Sequence, residues 1–191
     1  TWFLGTSAGT AIADILFGDY NPSGRLTISF PRVEGQVPVY YNYKKSGRPG
    51  DMLHSSTTRH IDVPNAPLYP FGYGLSYTKF RYKSKGVSVA QDTVKVSFEV
   101  SNTGKYDGDE VAQVYVKYPE TGTYMPLKQL HGFKRVHIKK GKTSKVTVGV
   151  PKKDLRYWDE QERKFVTPKG EYTFMVGASS EDIKFRETVG L

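Results

Sequence analysis

The strongest constraint on the fold is a series of short segments, from residue 80 onward, in which apolar and polar residues alternate. Alternation with a period of two places the apolar side chains on one face of a β-strand. Gly, Asn, Pro and Lys separate the segments, as is typical of turns. The pattern therefore predicts an all-β sandwich. The predicted strands are Phe80–Val89, Thr93–Val100, Glu110–Tyr118, Gln129–Ile138, Ser144–Val150, Tyr172–Val176 and Ile183–Thr188.

Local motifs refine this sandwich toward the immunoglobulin or fibronectin type III kind. Tyr172 begins the penultimate strand, where a tyrosine corner ties the strand to the preceding loop through the phenol hydroxyl. The stretch Asn102-Thr103-Gly104 predicts a hairpin-type connection after the second strand. Trp158 is expected at the edge of the same core.

The first part of the chain predicts one helix and one strand. Gly18 can end a helix over Ala8–Phe17, and Pro31 ends an alternating strand over Leu26–Phe30 because proline offers no ladder donor. Apolar residues spaced by three and four form one stripe on the helix. These stripe residues are Ala8, Ala11, Ile12, Ile15 and Leu16.

Residues 31–78 form a long segment without periodicity, rich in Pro and Gly. Loops of this length in compact domains usually have a function, or else they are disordered. The number of aromatic residues argues against a free linker, so we expect the segment to lie on a surface and bury rings. These aromatics are Tyr40, Tyr41, Tyr43, Tyr69, Phe71, Tyr73 and Tyr77.

Composition excludes several functions. The absence of Cys excludes a disulfide, a thiolate zinc site, an iron–sulfur cluster and a cysteine nucleophile. The net charge of +9 raises the question of nucleic-acid binding, but the lysines alternate with apolar residues and are interpreted as solvated strand faces. No apolar stretch reaches the ~18–20 residues of a membrane span. Neither a nucleic-acid partner nor a membrane partner is therefore expected.

The residues alone assign no catalytic group, metal or cofactor. His54 and His60 are six positions apart, as are His131 and His137, and neither spacing suits a zinc site on one helix face. The turn Asp107–Glu110 lacks the remaining ligands of a calcium loop and is interpreted as a solvated turn. These observations point to a binding or accessory module.

Arg59 and Asp62 are the candidate binding residues of the first part. They lie three positions apart in the long loop, where they could form an ion pair or contact a polar ligand.

Specific stretches of sequence carry a family resemblance. The first part contains AIADILFGDYNPSGRL (11–26), ISFP (28–31), QVPVYYN (36–42), GRP (47–49) and LYPFGYGLSYTKF (68–80). The second part contains VSNTG (100–104), PLKQLHGF (126–133) and LRYW (155–158). Together these stretches, which span the whole chain, resemble glycoside hydrolase family 3. The YYN and GRP stretches are most similar to bacterial periplasmic β-glucosidases.

The resemblance implies a mixed fold. Residues 1–78 would be the C-terminal segment of an α/β sandwich domain, and residues 79–191 a fibronectin type III-like domain. The chain, which starts at Thr1, would be a piece of a longer enzyme. Its partners would be the N-terminal part of the same enzyme, with the catalytic barrel, and an oligosaccharide or glycoside substrate. The location would be periplasmic or secreted.

The resemblance also implies retaining hydrolysis of terminal β-linked sugars, with an Asp nucleophile and a Glu acid/base upstream of this chain. No catalytic residue is carried over, because neither motif is present. Loop 40–62, with Arg59 and Asp62 as its polar members, would line the rim of the sugar pocket or form a homodimer contact. The alternative is a stand-alone carbohydrate-binding or adhesion module built on the β-sandwich.

Overall fold

A computed structural model describes residues 3–50, 56–120 and 125–191. It contains one helix, nine strands and two short 3₁₀ turns, Glu34–Gln36 and Lys152–Leu155, within these ranges. The helix α1 spans Ala8–Phe17. The strands are β1 Phe80–Val89, β2 Thr93–Asn102, β3 Gly108–Lys117, β4 Gln129–Ile138, β5 Thr143–Pro151, β6 Tyr157–Asp159, β7 Lys164–Val166, β8 Glu171–Gly177 and β9 Ile183–Gly190. No helix of the described residues is long and apolar enough to cross a membrane.

Two antiparallel sheets form the predicted sandwich. One sheet has the order β1-β2-β5, and the other has the order β4-β3-β8-β9. Their inner faces enclose a core in which strand alternation has placed valines and aromatic rings, as the sequence predicts. All seven predicted strands are confirmed, with ends that differ by at most two residues. Fully buried core residues include Val96, Phe98, Val100, Val114, Leu155, Tyr172 and Phe174.

The hairpin predicted at Asn102 is wrong. Strand β2 pairs with β1 and β5, whereas β3 pairs with β4 and β8, so the connection crosses from one sheet to the other. The Asn102 side chain fixes the crossing, since its Nδ2 donates to Tyr106 O at 2.8 Å and to Ile138 O at 2.9 Å. Its Oδ1 accepts from Thr78 Oγ1 at 2.6 Å. A buried amide with these partners replaces the tight turn.

Trp158 does not lie at the edge of the core. It is 51% exposed in a separate hairpin of β6 and β7, which the sequence did not predict because each strand has only three residues. Its ring packs edge to face against Phe165, with the centroids 5.4 Å apart. The pair is an exposed aromatic surface and contributes nothing to the sandwich core.

The tyrosine corner is confirmed. The buried Tyr172 hydroxyl donates to Pro168 O at 2.6 Å. Burial raises the pKa of Tyr172, so the group remains a neutral donor.

Replacement of Tyr172 by Phe removes this hydroxyl and leaves the Pro168 carbonyl without its donor. We expect the free energy of unfolding to fall by about 1–3 kcal/mol, measured by urea denaturation. Tyr157→Phe is the control, because the Tyr157 hydroxyl bonds only the polar Asp159 side chain at 3.1 Å, and it should cost less. Equal losses for the two variants would contradict a corner role for Tyr172.

The first part of the chain forms α1 as predicted but no regular strand after it. Gly18 ends α1 with a φ of 88°, the left-handed conformation that glycine favours. The predicted strand Leu26–Phe30 is wrong. Its backbone bonds the segment 68–73 only at its two ends, where Leu26 N donates to Tyr73 O and Phe30 N donates to Tyr69 O, each at 2.8 Å. Between them Phe71 N donates to the Ser29 hydroxyl at 3.2 Å and to no backbone carbonyl of the segment, so no continuous ladder forms.

The long segment is ordered by side chains that replace a hydrogen-bonded ladder. The buried Gln36 accepts from Arg32 N at 2.7 Å and donates to the carbonyls of Pro64, Asn65 and Ala66. The expected burial of rings is confirmed for Tyr41 and Phe71, which stack with centroids 4.1 Å apart. It is wrong for several others, which remain exposed. These are Tyr40, Tyr43, Tyr69 and Tyr77.

Candidate functional site

A cavity lies where the long segment meets the sandwich. It measures about 640 Å³ and is called the junction cavity below. Residues of the segment form most of its wall, and Leu127, Ser180 and Glu181 close it from the sandwich side. The segment residues include Tyr40, Tyr41, Tyr43, Lys44, Lys45, Arg59, His60 and Asn65.

Aromatic packing supports the cavity wall. Tyr41 lies between Phe71 and the buried Tyr115 of β3, with its centroid 5.9 Å from that of Tyr115. The Tyr41 hydroxyl also accepts a hydrogen bond from Leu130 N at 3.1 Å. Because rings and strand backbone hold Tyr41 on three sides, this wall of the cavity is preorganised.

Arg59 lines the junction cavity and is half-buried. Its Nη1 donates to His60 O at 3.5 Å, and its buried Nε has no hydrogen-bond partner among the described residues. The Ser180 hydroxyl, on the sandwich side of the same cavity, is likewise buried and unpaired in the described part of the chain. Unsatisfied buried donors are rare and mark positions where a further polar group can bind.

Asp62 lies apart from Arg59. It is exposed, does not line the junction cavity, and forms no ion pair with Arg59 in the ranges that the structure describes. The structure therefore places only Arg59 of the two predicted binding residues at the cavity. His54, considered above for metal binding, lies outside the described residues.

The charge of the cavity wall is positive. Lys44, Lys45 and Arg59 line it, and Glu181 is the one carboxylate among the described lining residues. Glu181 is itself bound by Lys128, whose Nζ lies 3.0 Å from its Oε1. Retaining glycosidases need two carboxyl groups about 5 Å apart. The described wall can thus bind polar groups but does not contain that catalytic pair.

A buried ion pair joins the loop after α1 to both sheets of the sandwich. Arg25 Nη2 lies 2.7 Å from Glu110 Oε2, and the two side chains are only 10% and 3% exposed. The Tyr82 hydroxyl of β1 donates to the other Glu110 oxygen at 2.7 Å. Burial, and then the neighbouring carboxylate, raise the pKa of Tyr82 well above its usual range. Interpretation of Asp107–Glu110 as a solvated turn is therefore wrong for Glu110.

The buried Gln113 makes a second junction between the segment and the sandwich. Its Nε2 donates to Gly72 O at 3.0 Å and to Ala178 O at 2.7 Å. Its Oε1 accepts from the Tyr115 hydroxyl at 2.5 Å. A signal for both polar residues is present in the strand pattern, since Glu110 shares strand parity with the core valines and Gln113 shares it with Tyr115.

None of the remaining histidines lies in a cluster of metal-ligating side chains within the described part of the chain. Among these residues, no group of three His, Asp or Glu side chains is arranged as metal ligands. His137 Nδ1 lies 2.6 Å from Asp109 Oδ1, and Arg135 binds the other oxygen. Partial burial alone would raise the pKa of Asp109, but the hydrogen bonds from His137 and Arg135 lower it.

His131 should make stability depend on pH. Burial lowers the pKa of His131, and the charge of Asp154 opposes this only in part. The folded chain therefore binds a proton at His131 less tightly than the unfolded chain does, in which the pKa of His is about 6.5. The contribution of His131 to the free energy of unfolding is complete above that pH. It is lost as the pH falls through the pKa of His131 in the folded chain.

We expect acidification from pH ~7.5 to ~5.5 to lower Tm less in His131→Gln than in the unsubstituted chain. Calorimetry at both pH values measures the difference, and His137→Gln is the exposed control. Burial favours the neutral form of His131 in the folded chain. The Tyr118 hydroxyl, whose pKa burial raises to about 12, lies 2.9 Å from its Nε2. An identical pH response of His131→Gln and the unsubstituted chain would contradict this assignment.

The fold and junction cavity define a class of protein: a fibronectin type III-like sandwich fused to the end of an α/β domain. Comparison with known families gives the same division. Residues 1–77 match the Glycosyl hydrolase family 3 C-terminal domain, and residues 110–180 match the Fibronectin type III-like domain. The chain belongs to glycoside hydrolase family 3, as the C-terminal part of its longer members.

Individual relatives agree with this assignment. The chain is 43% identical, over 96% of its length, to a periplasmic beta-glucosidase of Salmonella typhimurium, and covers 25% of that protein. A beta-xylosidase of Formosa agariphila is 45% identical over the same share, again with 25% of the relative covered. The structure of a Listeria innocua beta-glucosidase in complex with glucose superposes with a TM-score of 0.91 at 36% identity. That match covers 100% of this chain and 27% of the Listeria chain. The chain thus spans about a quarter of its relatives.

Proposed function

We propose that the chain is the C-terminal part of a retaining β-glucosidase-like glycoside hydrolase that removes terminal β-linked sugars from oligosaccharides or glycosides. The observation that carries the proposal is the similarity, over 96% of the chain, to enzymes named beta-glucosidase and beta-xylosidase. The role of this part is to brace the α/β domain and to form one rim of the sugar pocket. The catalytic carboxylates belong to the upstream part of the enzyme.

Exposed apolar surface supports a scaffold role. No side chain of α1 is buried, and Leu16 and Phe17 are 72% and 85% exposed. Phe3 and Ile28 are also exposed. An amphipathic helix normally buries its apolar stripe against another layer, so this surface fits the remaining layers of an α/β domain.

The test of the proposed function is a hybrid enzyme. The chain replaces the matching last quarter of the Salmonella periplasmic beta-glucosidase, and turnover of an aryl β-glucoside and an aryl β-xyloside is measured. We expect the hybrid to hydrolyse at least one of them and the 191-residue chain alone to hydrolyse neither. A hybrid that folds, by circular dichroism and gel filtration, but has no activity on either glycoside would contradict the proposal.

Arg59 and Asp62 are proposed as polar members of the pocket rim. The unpaired Arg59 Nε and the positive cavity wall support this role for Arg59. Asp62 is the outer of the two, since it is exposed and does not line the cavity. A guanidinium suits sugar hydroxyls because it presents several donors in a fixed plane.

Arg59→Ala in the hybrid should lower kcat/KM for glucosides about tenfold or more, since a hydrogen bond from a charged group contributes about 1.5–3 kcal/mol. Arg48→Ala is the matched control, because Arg48 is an exposed arginine of the same loop. Asp62→Asn should have a smaller effect than Arg59→Ala. Unchanged kcat/KM on several glucosides, with unchanged oligomeric state, would contradict the rim role.

Three further expectations accompany the proposal. The periplasmic location of the Salmonella relative supports a periplasmic or secreted enzyme, and cell fractionation tests it. The start of β1 at Phe80 supports a domain boundary between residues 78 and 79. A homodimer contact through loop 40–62 stays a prediction, which light scattering on the hybrid and its Arg59→Ala variant tests.

A further inference from the structure

The two outer faces of the sandwich differ. The outer face of the four-stranded sheet is covered by the long segment, which packs Tyr41 on Tyr115 and binds Gly72 O to Gln113. The outer face of the three-stranded sheet β1-β2-β5 is exposed. It carries five basic side chains, and we call it the basic face. These residues are Arg81, Lys83, Lys85, Lys95 and Lys145.

The strand register brings these charges together. Glu99 lies directly opposite Lys83 on one side and Lys145 on the other. Glu99 is the one carboxylate among the outward side chains of the three strands, and it binds Lys85 at 3.1 Å. The other four cations have no carboxylate partner in the described part of the chain. Five cations and a single carboxylate make the electrostatic potential of this face positive, so the face attracts a polyanion.

Hydroxyl groups alternate with charged side chains along β2 and β5 of the basic face. Ser97 and Thr147 lie 3.1 Å apart across β2 and β5, and Ser101 and Thr143 lie 2.7 Å apart. Successive outward side chains along a strand lie about 6.8 Å apart, so charged groups and hydroxyl groups form rows with regular spacing. A long, extended ligand with regularly repeated anionic groups matches this arrangement.

The face lacks the groups that other anionic partners need. Its outward positions from Arg81 to Ser88, Lys95 to Ser101 and Thr143 to Gly149 carry no apolar or aromatic side chain. Protein interfaces have an apolar core, and single-stranded nucleic acids stack on aromatic rings. A polymer that is charged and rich in hydroxyl groups needs neither.

We propose that the basic face binds an acidic polysaccharide. Its carboxylates would pair with Lys83, Lys95, Lys145 and Arg81, and its hydroxyls would bond the Ser and Thr rows. The choice of a sugar polymer over another polyanion rests on the proposed function. The face would hold the enzyme on a charged polymer from which, or near which, glycosides are released.

Binding of the 191-residue chain to immobilised polygalacturonate tests the proposal. Neutral dextran, polyglutamate and duplex DNA are measured in parallel at low and high salt. We expect binding to polygalacturonate that high salt weakens, and weaker binding to polyglutamate and dextran. The triple variant Lys83→Ala/Lys95→Ala/Lys145→Ala should bind about tenfold more weakly. The control Lys117→Ala/Lys134→Ala/Lys169→Ala removes three exposed lysines elsewhere and should bind as the unsubstituted chain does.

Equal loss in the two triple variants would show an effect of net charge alone and would overturn the proposal. Binding to DNA or polyglutamate as tight as binding to polygalacturonate would overturn it as well, as would no binding at low salt. The aryl-glycoside assay of the hybrid is independent of this face. Failure of the polysaccharide experiment is therefore distinguishable from failure of the proposed hydrolase function.

Discussion

Glu110→Gln should lower the free energy of unfolding by about 3–5 kcal/mol, because it leaves the buried Arg25 charge without its counterion. The Arg25–Glu110 pair is enclosed by the long segment and by the ends of β1 and β3. An unpaired charge there loses both water and its partner. Denaturation in urea should show a lower midpoint with an unchanged m-value.

The neighbouring Asp109 provides the matched control. It lies one residue away in the same strand and pairs with Arg135, which is 54% exposed. Asp109→Asn should cost about 1 kcal/mol or less, as exposed pairs do. The double variant Arg25→Met/Glu110→Gln removes both charges, keeps an acceptor for Tyr82, and should recover most of the loss. A cost for Glu110→Gln no larger than that for Asp109→Asn would refute a buried ion pair.

Gln113→Ala should destabilise the chain by about 3 kcal/mol. It removes the partner of three groups, the carbonyls of Gly72 and Ala178 and the hydroxyl of Tyr115. Each orphaned buried group costs about 1–3 kcal/mol, and these costs do not add fully. Burial raises the pKa of Tyr115, so this hydroxyl cannot escape the penalty by ionising. The loss is measured by urea denaturation.

Two variants calibrate the effect of Gln113→Ala. Tyr115→Phe removes only one of the three hydrogen bonds and should cost about 1 kcal/mol. Gln161→Ala removes an exposed glutamine from the β6–β7 turn and should cost almost nothing. If Gln113→Ala cost no more than Tyr115→Phe, the bonds to Gly72 and Ala178 would not hold the segment on the sheet.

The sandwich was predictable because its residues obey one local rule. Alternation along Thr93–Val100 and Ser144–Val150 specifies which side chains enter the core, and long-range pairing only confirms it. The tyrosine corner was likewise visible, since Tyr172 and its acceptor Pro168 are four residues apart.

The long segment and the junction followed no local rule. Leu26–Phe30 has a strand pattern, yet strand formation depends on a partner, and Phe71 N bonds the Ser29 hydroxyl where the backbone ladder would continue. Gln36 binds carbonyls about thirty residues away, and Arg25 binds Glu110 across 85 positions. No spacing or period encodes such contacts. The junction cavity, which depends on them, was predictable only as a loop rich in aromatics with Arg59 inside it.

The long segment covers the four-stranded sheet. This packing limits where domains of such proteins can recombine during evolution. A cut at the proposed domain boundary, between residues 78 and 79, would strip Phe71 and Tyr41 from Tyr115. The isolated sandwich would expose the ring of Tyr115 on its outer sheet and would be more prone to aggregation. Because Arg25 forms the buried ion pair with Glu110, the segment needed for a stable sandwich begins before Arg25. Recombination that preserves the folded sandwich should therefore occur upstream of that residue.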